Sequence, residues 1–321
     1  MNLQTKIPLE KQSNNLIDYN SNVLLLGSCF VENIGEKLSY FKFQSLQNPF
    51  GILFQPKAIE TIISKAINKK EYTEEDIFFY YEQWHCFEVH SKLSASSKKV
   101  LLNELNNQIK LTNQQINQAT HIIITLGTAW VYRFLETNQL VANCHKVPHK
   151  QFKKELLSVN TILDSLQNSI ASIRSVNQNA SIIFTVSPVR HIKDGFIENT
   201  QSKAHLITAI HQFLNQKSLI DNYNSFYFPS YEIMMDELRD YRFYADDMLH
   251  PNQTAINYIW ENFQKVWISN ESLKIMDAVD AVQKGLQHKA FNPNAEAHKK
   301  FLQNLEVKKN QIQAQFTHIV F

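Results

Sequence analysis

The stretch Asn22-Val23-Leu24-Leu25-Leu26-Gly27-Ser28-Cys29-Phe30 reads as a buried strand that ends in a turn at the foot of a helix. Four successive large aliphatic residues, Val23 through Leu26, leave no polar face, as a strand covered on both sides requires. Gly27 then permits a sharp turn, and residues 31–41 are amphipathic with helical spacing. Two potential nucleophiles, Ser28 and Cys29, therefore fall where a helix presents unpaired backbone N–H groups. Negative charge developing on a carbonyl oxygen would be stabilised there. In the simpler alternative, Gly27 only makes the turn and Ser28 only caps the helix.

Working outward, three further apolar runs, at 121–126, 181–186 and 225–228, are short, continuous and closed by turn residues. Helical patterns at 156–176 and 204–216 lie between them, so strand–helix alternation and a parallel sheet are expected. The Gly27, Gly127 and Ser187 motifs each follow the C-terminus of one of these runs, the edge at which open α/β sheets bind ligands. About ninety residues separate the first run from the second, too many for one crossover helix. They are expected to form an elaboration over or beside the site, with helices at 56–68 and 97–120. Between these helices, the aromatic segment 77–90 reads as a strand pair or an extended lid. Its rings either line a pocket or anchor the insertion by packing.

Asp247 and His250 supply the second half of a nucleophilic site. They lie in the polar loop Asp246-Asp247-Met248-Leu249-His250-Pro251-Asn252, just before a helical pattern over 254–260. A carboxylate three residues before a histidine can orient the imidazole and stabilise its protonated form, giving the nucleophile a base. That base could take the proton of either Cys29 or Ser28. The thiol needs less help, because a helix N-terminus and a nearby histidine lower its pKa, whereas the hydroxyl must lose its proton during attack.

Several segments in this order resemble the GSCFA family of the SGNH/GDSL hydrolase superfamily. Gly27-Ser28-Cys29-Phe30 nearly spells the family name, with Val31 in place of the alanine. Further matches are Asn48-Pro49-Phe50-Gly51, Leu126-Gly127-Thr128, Asn143-Cys144-His145-Lys146, Ser187-Pro188-Val189-Arg190-His191, Ser202-Lys203 and Asp247-x-x-His250. The resemblance spans roughly residues 20–265. It implies a flavodoxin-like, three-layer α/β/α sandwich with a mostly parallel sheet, and esterase or acyltransferase chemistry. The resulting division is a domain over 1–265, carrying an insertion at about 56–118, and a helical extension over 266–321. In the superfamily's register Cys29 takes the nucleophile's place and Ser28 that of an Asp. The oxyanion hole would use the N–H groups of Cys29 and Gly51. Where the pattern has an Asn, Gly127-Thr128-Ala129 has Ala129, so Thr128, Asn48 or Asn143 would have to supply the third donor.

Composition excludes several other classes. With 32 basic and 30 acidic residues and a net charge of +2, no field favours nucleic acid or an anionic membrane. Residues 1–20 are polar and no run of 18 apolar residues occurs, so a cytoplasmic location is expected. Three cysteines, Cys29, Cys86 and Cys144, do not make a disulfide framework. Cys144, His145 and His149 lack a fixed metal-ligand spacing, so neither metal nor cofactor is expected. Arg190, with His191, and Lys203 are candidates for holding a substrate carboxylate or phosphate, alongside Asn143. The Lys-rich helical patterns at 275–286 and 296–315 are expected to pack on the domain or mediate self-association. The functional expectation is hydrolysis of a small-molecule or carbohydrate acyl ester. The alternatives are acyl transfer at the same site, or an inactive binding protein on a hydrolase fold.

Overall fold

A computed structural model describes residues 5–216 and 224–321; residues 1–4 of the expected domain fall outside the description. Five parallel strands form the central sheet: β1 (Asn22–Gly27), β2 (Gln44–Gln47), β5 (His121–Leu126), β9 (Ser181–Val186) and β10 (Ser225–Tyr227). Their spatial order is β10-β9-β5-β1-β2. The chain moves from β1 outward to β2, then returns to the far side of β1 to lay down β5. The reversal leaves a crevice at the C-terminal ends of β1 and β5, where Gly27 pairs with Thr125.

Side chains on the central strands alternate between two cores. Leu24, Leu26, Ile122, Ile124, Leu126, Ile182, Phe184 and Val186 face one core. It is closed by α2 (Pro56–Ile67), α3 (Lys98–Gln118), α4 (Val159–Val176) and α5 (Phe196–Asn215). Val23, Leu25, Ile123 and Ile183 face the other. That side is covered by α1 (Cys29–Tyr40), α7 (Gln253–Trp267), α8 (Asn270–Gln287) and α9 (Glu296–Gln315). The result is the three-layer α/β/α sandwich, and it explains the unbroken apolar runs: β1, β5 and β9 are buried on both faces. Removing one such side chain, Leu25→Ala for example, would cost about 2–5 kcal/mol.

The helices begin where their sequences allow. Ser158 accepts from the Thr161 N–H ahead of α4, Asn252 from Ala255 ahead of α7, and Ser269 from Ser272 ahead of α8. Pro56 opens α2, where its missing N–H costs no helical bond. A single turn, α6 (Ser230–Glu232), runs into a wider turn at Ile233–Glu237.

After β1 the chain first adds β2 to the sheet, and the helices expected at 56–68 and 97–120 are α2 and α3, which pack into the sandwich. The aromatic segment forms a hairpin of β3 (Phe78–Tyr80) and β4 (Gln83–His85). Phe78 and Phe87 stack at 4.1 Å and pack against a second small sheet, so these rings anchor a lobe. That sheet comprises β6 (Trp130–Phe134), β7 (Gln139–Val141) and β8 (Phe152–Leu156) in the order β7-β6-β8. The helix expected from residue 156 starts at Val159 because β8 occupies the preceding residues. The helix expected over 204–216 begins earlier, at Phe196.

Candidate active site

Gly27 has a φ of 138°, and a Cβ there would run into the Thr125 carbonyl, so close approach of β1 and β5 requires glycine. The Gly27 N–H donates to Asn48 Oδ1 at 2.9 Å, and the Ser28 N–H donates to Thr125 O at 3.0 Å. These bonds set the entry to α1. Ser28 occupies the N-cap position, yet its hydroxyl makes no capping bond. The residue is fully buried and its Oγ has no partner.

Cys29 is the first helical residue and is half-buried. Burial, followed by the Glu32 carboxylate, pushes its thiol up; Lys203 and the backbone N–H groups of Cys29 and Phe30 pull it down. The net direction is upward, so the lowering expected of a helix N-terminus is outweighed by burial and the thiol form is favoured.

Opposite, the Asp247–His250 loop is exposed. Asp247 Oδ2 meets His250 Nδ1 at 2.6 Å, while Oδ1 accepts from the backbone N–H groups of Leu249 and His250. Those backbone bonds, then the imidazole, hold the Asp247 carboxyl down at about 2. The loop is tied to the exit of β9, where the Arg190 N–H donates to Leu249 O at 3.1 Å. His191 follows. It lies within electrostatic range of both His250 and Lys203, and Lys203 within range of Cys29.

His191 is packed against the tips of β1 and β5. A Cβ added at Gly127 would lie 2.7 Å from Phe54 Cβ, 3.2 Å from Ser28 Cβ and 3.3 Å from His191 Nε2. That Nε2 is buried without a partner, and burial, then Lys203, lowers the imidazole to about 3. His191 is therefore a neutral imidazole at ordinary pH; its backbone N–H donates to Asn199 Oδ1 at 2.8 Å.

Other sequence candidates stand differently from expectation. The Gly51 N–H is already engaged, donating to Asn48 O at 2.8 Å to close a turn. The Thr128 N–H donates to Phe54 O, and its hydroxyl serves Trp130 N–H and Ser202. Asn48 keeps an unpartnered, buried Nδ2. Asn143 belongs to the turn after β7, where its Oδ1 accepts from the His145 N–H. Lys203, expected to clamp a substrate anion, is 1% exposed and bonded to backbone carbonyls. Arg190 is accessible, its guanidinium 5.3–5.7 Å from the rings of Phe196, Tyr241 and Tyr244, with no carboxylate partner among the described residues.

Two neighbours went unrecognised in the sequence. His90 packs against Gly51 and feels the charge of Glu32, the same carboxylate that acts on Cys29. No local pattern marks either residue; only the fold brings them together. Among the described residues no group of three His, Cys, Asp or Glu side chains could hold a metal, and no helix is long and apolar enough to cross a membrane.

Fold and site define a doubly wound α/β protein with a cysteine at the first helix and a carboxylate–histidine pair on the same sheet edge. The chain belongs to the GSCFA family, whose model matches residues 22–263, and the family's C-terminal domain matches residues 279–321. No curated protein matches the sequence. Among solved structures, an acetyl xylan esterase (Est2A) from the rumen bacterium Butyrivibrio proteoclasticus is similar at 11% identity with a TM-score of 0.33. The likeness covers 85% of this chain and 66% of that one, just under two thirds of the enzyme's chain.

Proposed function

We propose that this GSCFA-family protein hydrolyses small acyl esters, acetylated carbohydrates among them, through a covalent thioester on Cys29. The observation that supports the reading is a half-buried thiol at the N-terminus of α1 together with an Asp247–His250 dyad whose loop is tied to the exit of β9. His250 takes the thiol proton through Nε2 as sulfur attacks the ester carbonyl. The tetrahedral oxyanion is stabilised by the Cys29 backbone N–H and the unpartnered Asn48 amide. As the intermediate collapses, the leaving alkoxide takes the proton from His250. Water then attacks the thioester, giving its proton to His250, and the acid and the free thiol are released.

Acyl transfer is the second reading, favoured by Arg190. Its guanidinium, close to the dyad loop and without an acidic partner among the described residues, suits an anionic acyl donor.

The test is turnover of a panel of p-nitrophenyl esters by wild type, Cys29→Ala, Ser28→Ala and His250→Ala. Loss in Cys29→Ala and His250→Ala supports the hydrolase. Equal residual rates in all four proteins would favour a binding role. Diversion of the acyl group from free acid to an added sugar would identify the transferase.

A further inference from the structure

Between the first turn of α2 and β7 of the small sheet lies a cavity of about 240 Å³ that the proposed chemistry leaves unused. Backbone ties place it beside the crevice. The Leu53 N–H donates to Gly27 O, and Phe54 O accepts from the N–H groups of Gly127 and Thr128, so Gln55 is one residue from the strand exits. The opposite wall is fixed in the same way: Phe87 O, just ahead of Glu88, accepts from the Ala142 and Asn143 N–H groups. Gln55 lines the cavity and is 3% exposed, yet its Oε1 has no partner among the described residues and its side chain makes no capping bond to α2. A buried amide left unpaired is costly, so it calls for a partner from outside the chain. The N–H groups of Lys57 and Ala58, which also line the cavity, have no acceptor within the helix.

We propose that this cavity is a binding subsite for a neutral pyranose, the sugar part of the ester that reacts at the crevice. Its place in turnover rests on the hydrolase reading. Both charged side chains at the cavity are already paired, Lys57 with Glu60 and Glu88 with Lys65, each at 2.7 Å. No free cation is left to hold a phosphate or carboxylate at the start of α2, as an anion site there would need beyond the helix terminus itself. What the cavity offers instead is uncharged. The Gln55 amide and the two N–H groups are joined by Thr61, whose hydroxyl gives its hydrogen to Lys57 O and keeps lone pairs to accept with, and by the amide of Gln139. Leu140 and Ala142 leave apolar wall between them. A sugar ring presents the matching mixture: hydroxyls that both donate and accept, separated by C–H faces. The volume falls just below the roughly 300–1,000 Å³ of pockets for drug-sized ligands, which suits one ring rather than a chain.

The experiment titrates free glucose, galactose, mannose and xylose, and separately inorganic phosphate, into the isotope-labelled full chain and follows its amide signals by nuclear magnetic resonance. At least one sugar should give saturable shifts at the Gln55 side-chain amide and at the Lys57 and Ala58 N–H groups. Ala142→Trp, which fills the cavity, should abolish them. Gln55→Leu, which keeps the bulk and removes the amide, should weaken binding about tenfold. Where a variant does not fold, the wild-type shift map decides alone. The proposal is overturned if no sugar moves these signals, if the shifts arise elsewhere in the chain, if phosphate alone produces them, or if either folded variant binds as wild type does. No ester is present in the titration, so failure of the hydrolase reading would appear separately, as p-nitrophenyl ester turnover that survives Cys29→Ala.

Discussion

Asp247 grips His250 twice: one carboxylate oxygen meets ring Nδ1 at 2.6 Å, and the other accepts the backbone N–H of the same residue at 3.0 Å. An ionised carboxylate only accepts, so Nδ1 carries the proton and Nε2 is left as the basic atom. His250→Ala should lower kcat/KM for a p-nitrophenyl ester by about 10²–10⁴-fold, and Asp247→Asn by up to about 10⁴-fold, because the amide would favour the wrong imidazole tautomer. Wild-type rates in both variants would remove the dyad from the mechanism.

The two candidate nucleophiles should separate cleanly. Ser28 Oγ is fully buried and unpartnered, so Ser28→Ala removes an unsatisfied group and should change stability by less than about 1 kcal/mol. Cys29→Ala should abolish both turnover and the acyl adduct seen by intact-protein mass spectrometry. Retention of the adduct in Cys29→Ala with its loss in Ser28→Ala would reverse the assignment.

Gly27→Ala should be among the most damaging small substitutions in the chain. The new methyl group would collide with the Thr125 carbonyl, at a φ of 138° that other residues rarely adopt. A destabilisation above about 3 kcal/mol in urea unfolding is expected, provided the variant folds at all. A midpoint equal to wild type would contradict this close approach of β1 and β5.

Acid should weaken the fold well above the carboxylate range. Burial holds His191 at about 3 and His145 at about 4 in the folded state, while an unfolded histidine titrates at about 6.5. Below that value the unfolded chain binds protons that the folded chain does not. Stability contributed by these neutral imidazoles is therefore full above about pH 6.5 and declines as pH falls towards 4 and 3. His191→Phe should flatten the fall in urea midpoint between pH 7 and pH 4. Parallel slopes for the two proteins would show that His191 is not the group responsible.

The central strands β1, β5 and β9 were legible because both faces of each are covered, which leaves an unbroken aliphatic signature. β2 was not. Its Gln44-Ser45-Leu46-Gln47 sits at the sheet edge with one large apolar residue, and its pairing with β1 alone makes it a strand. The β6-β7-β8 sheet was hidden for a similar reason: Lys153, Lys154 and Glu155 in β8 look like a solvated run, although Glu155 pairs with Arg133 across the strands. Around the site, Asp247 and His250 could be paired from their spacing. The relation of Lys203 to Gly127 and Ser187 could not, since burial and backbone acceptors leave no trace in residue type.

Local chemistry in the sequence determined the strand-to-helix turn at Gly27, the placement of Ser28 and Cys29 at a helix start, and the Asp247–His250 spacing. Backbone geometry and side-chain reach act over a few residues, so such features are written where they occur. Tertiary structure decided which polar groups are spent and which remain: Gly51 closes a turn, Lys203 turns inward to two carbonyls, and His191 is buried neutral beside Gly127. Desolvation and electrostatics depend on what surrounds a group from every side, and those surroundings come from distant parts of the chain.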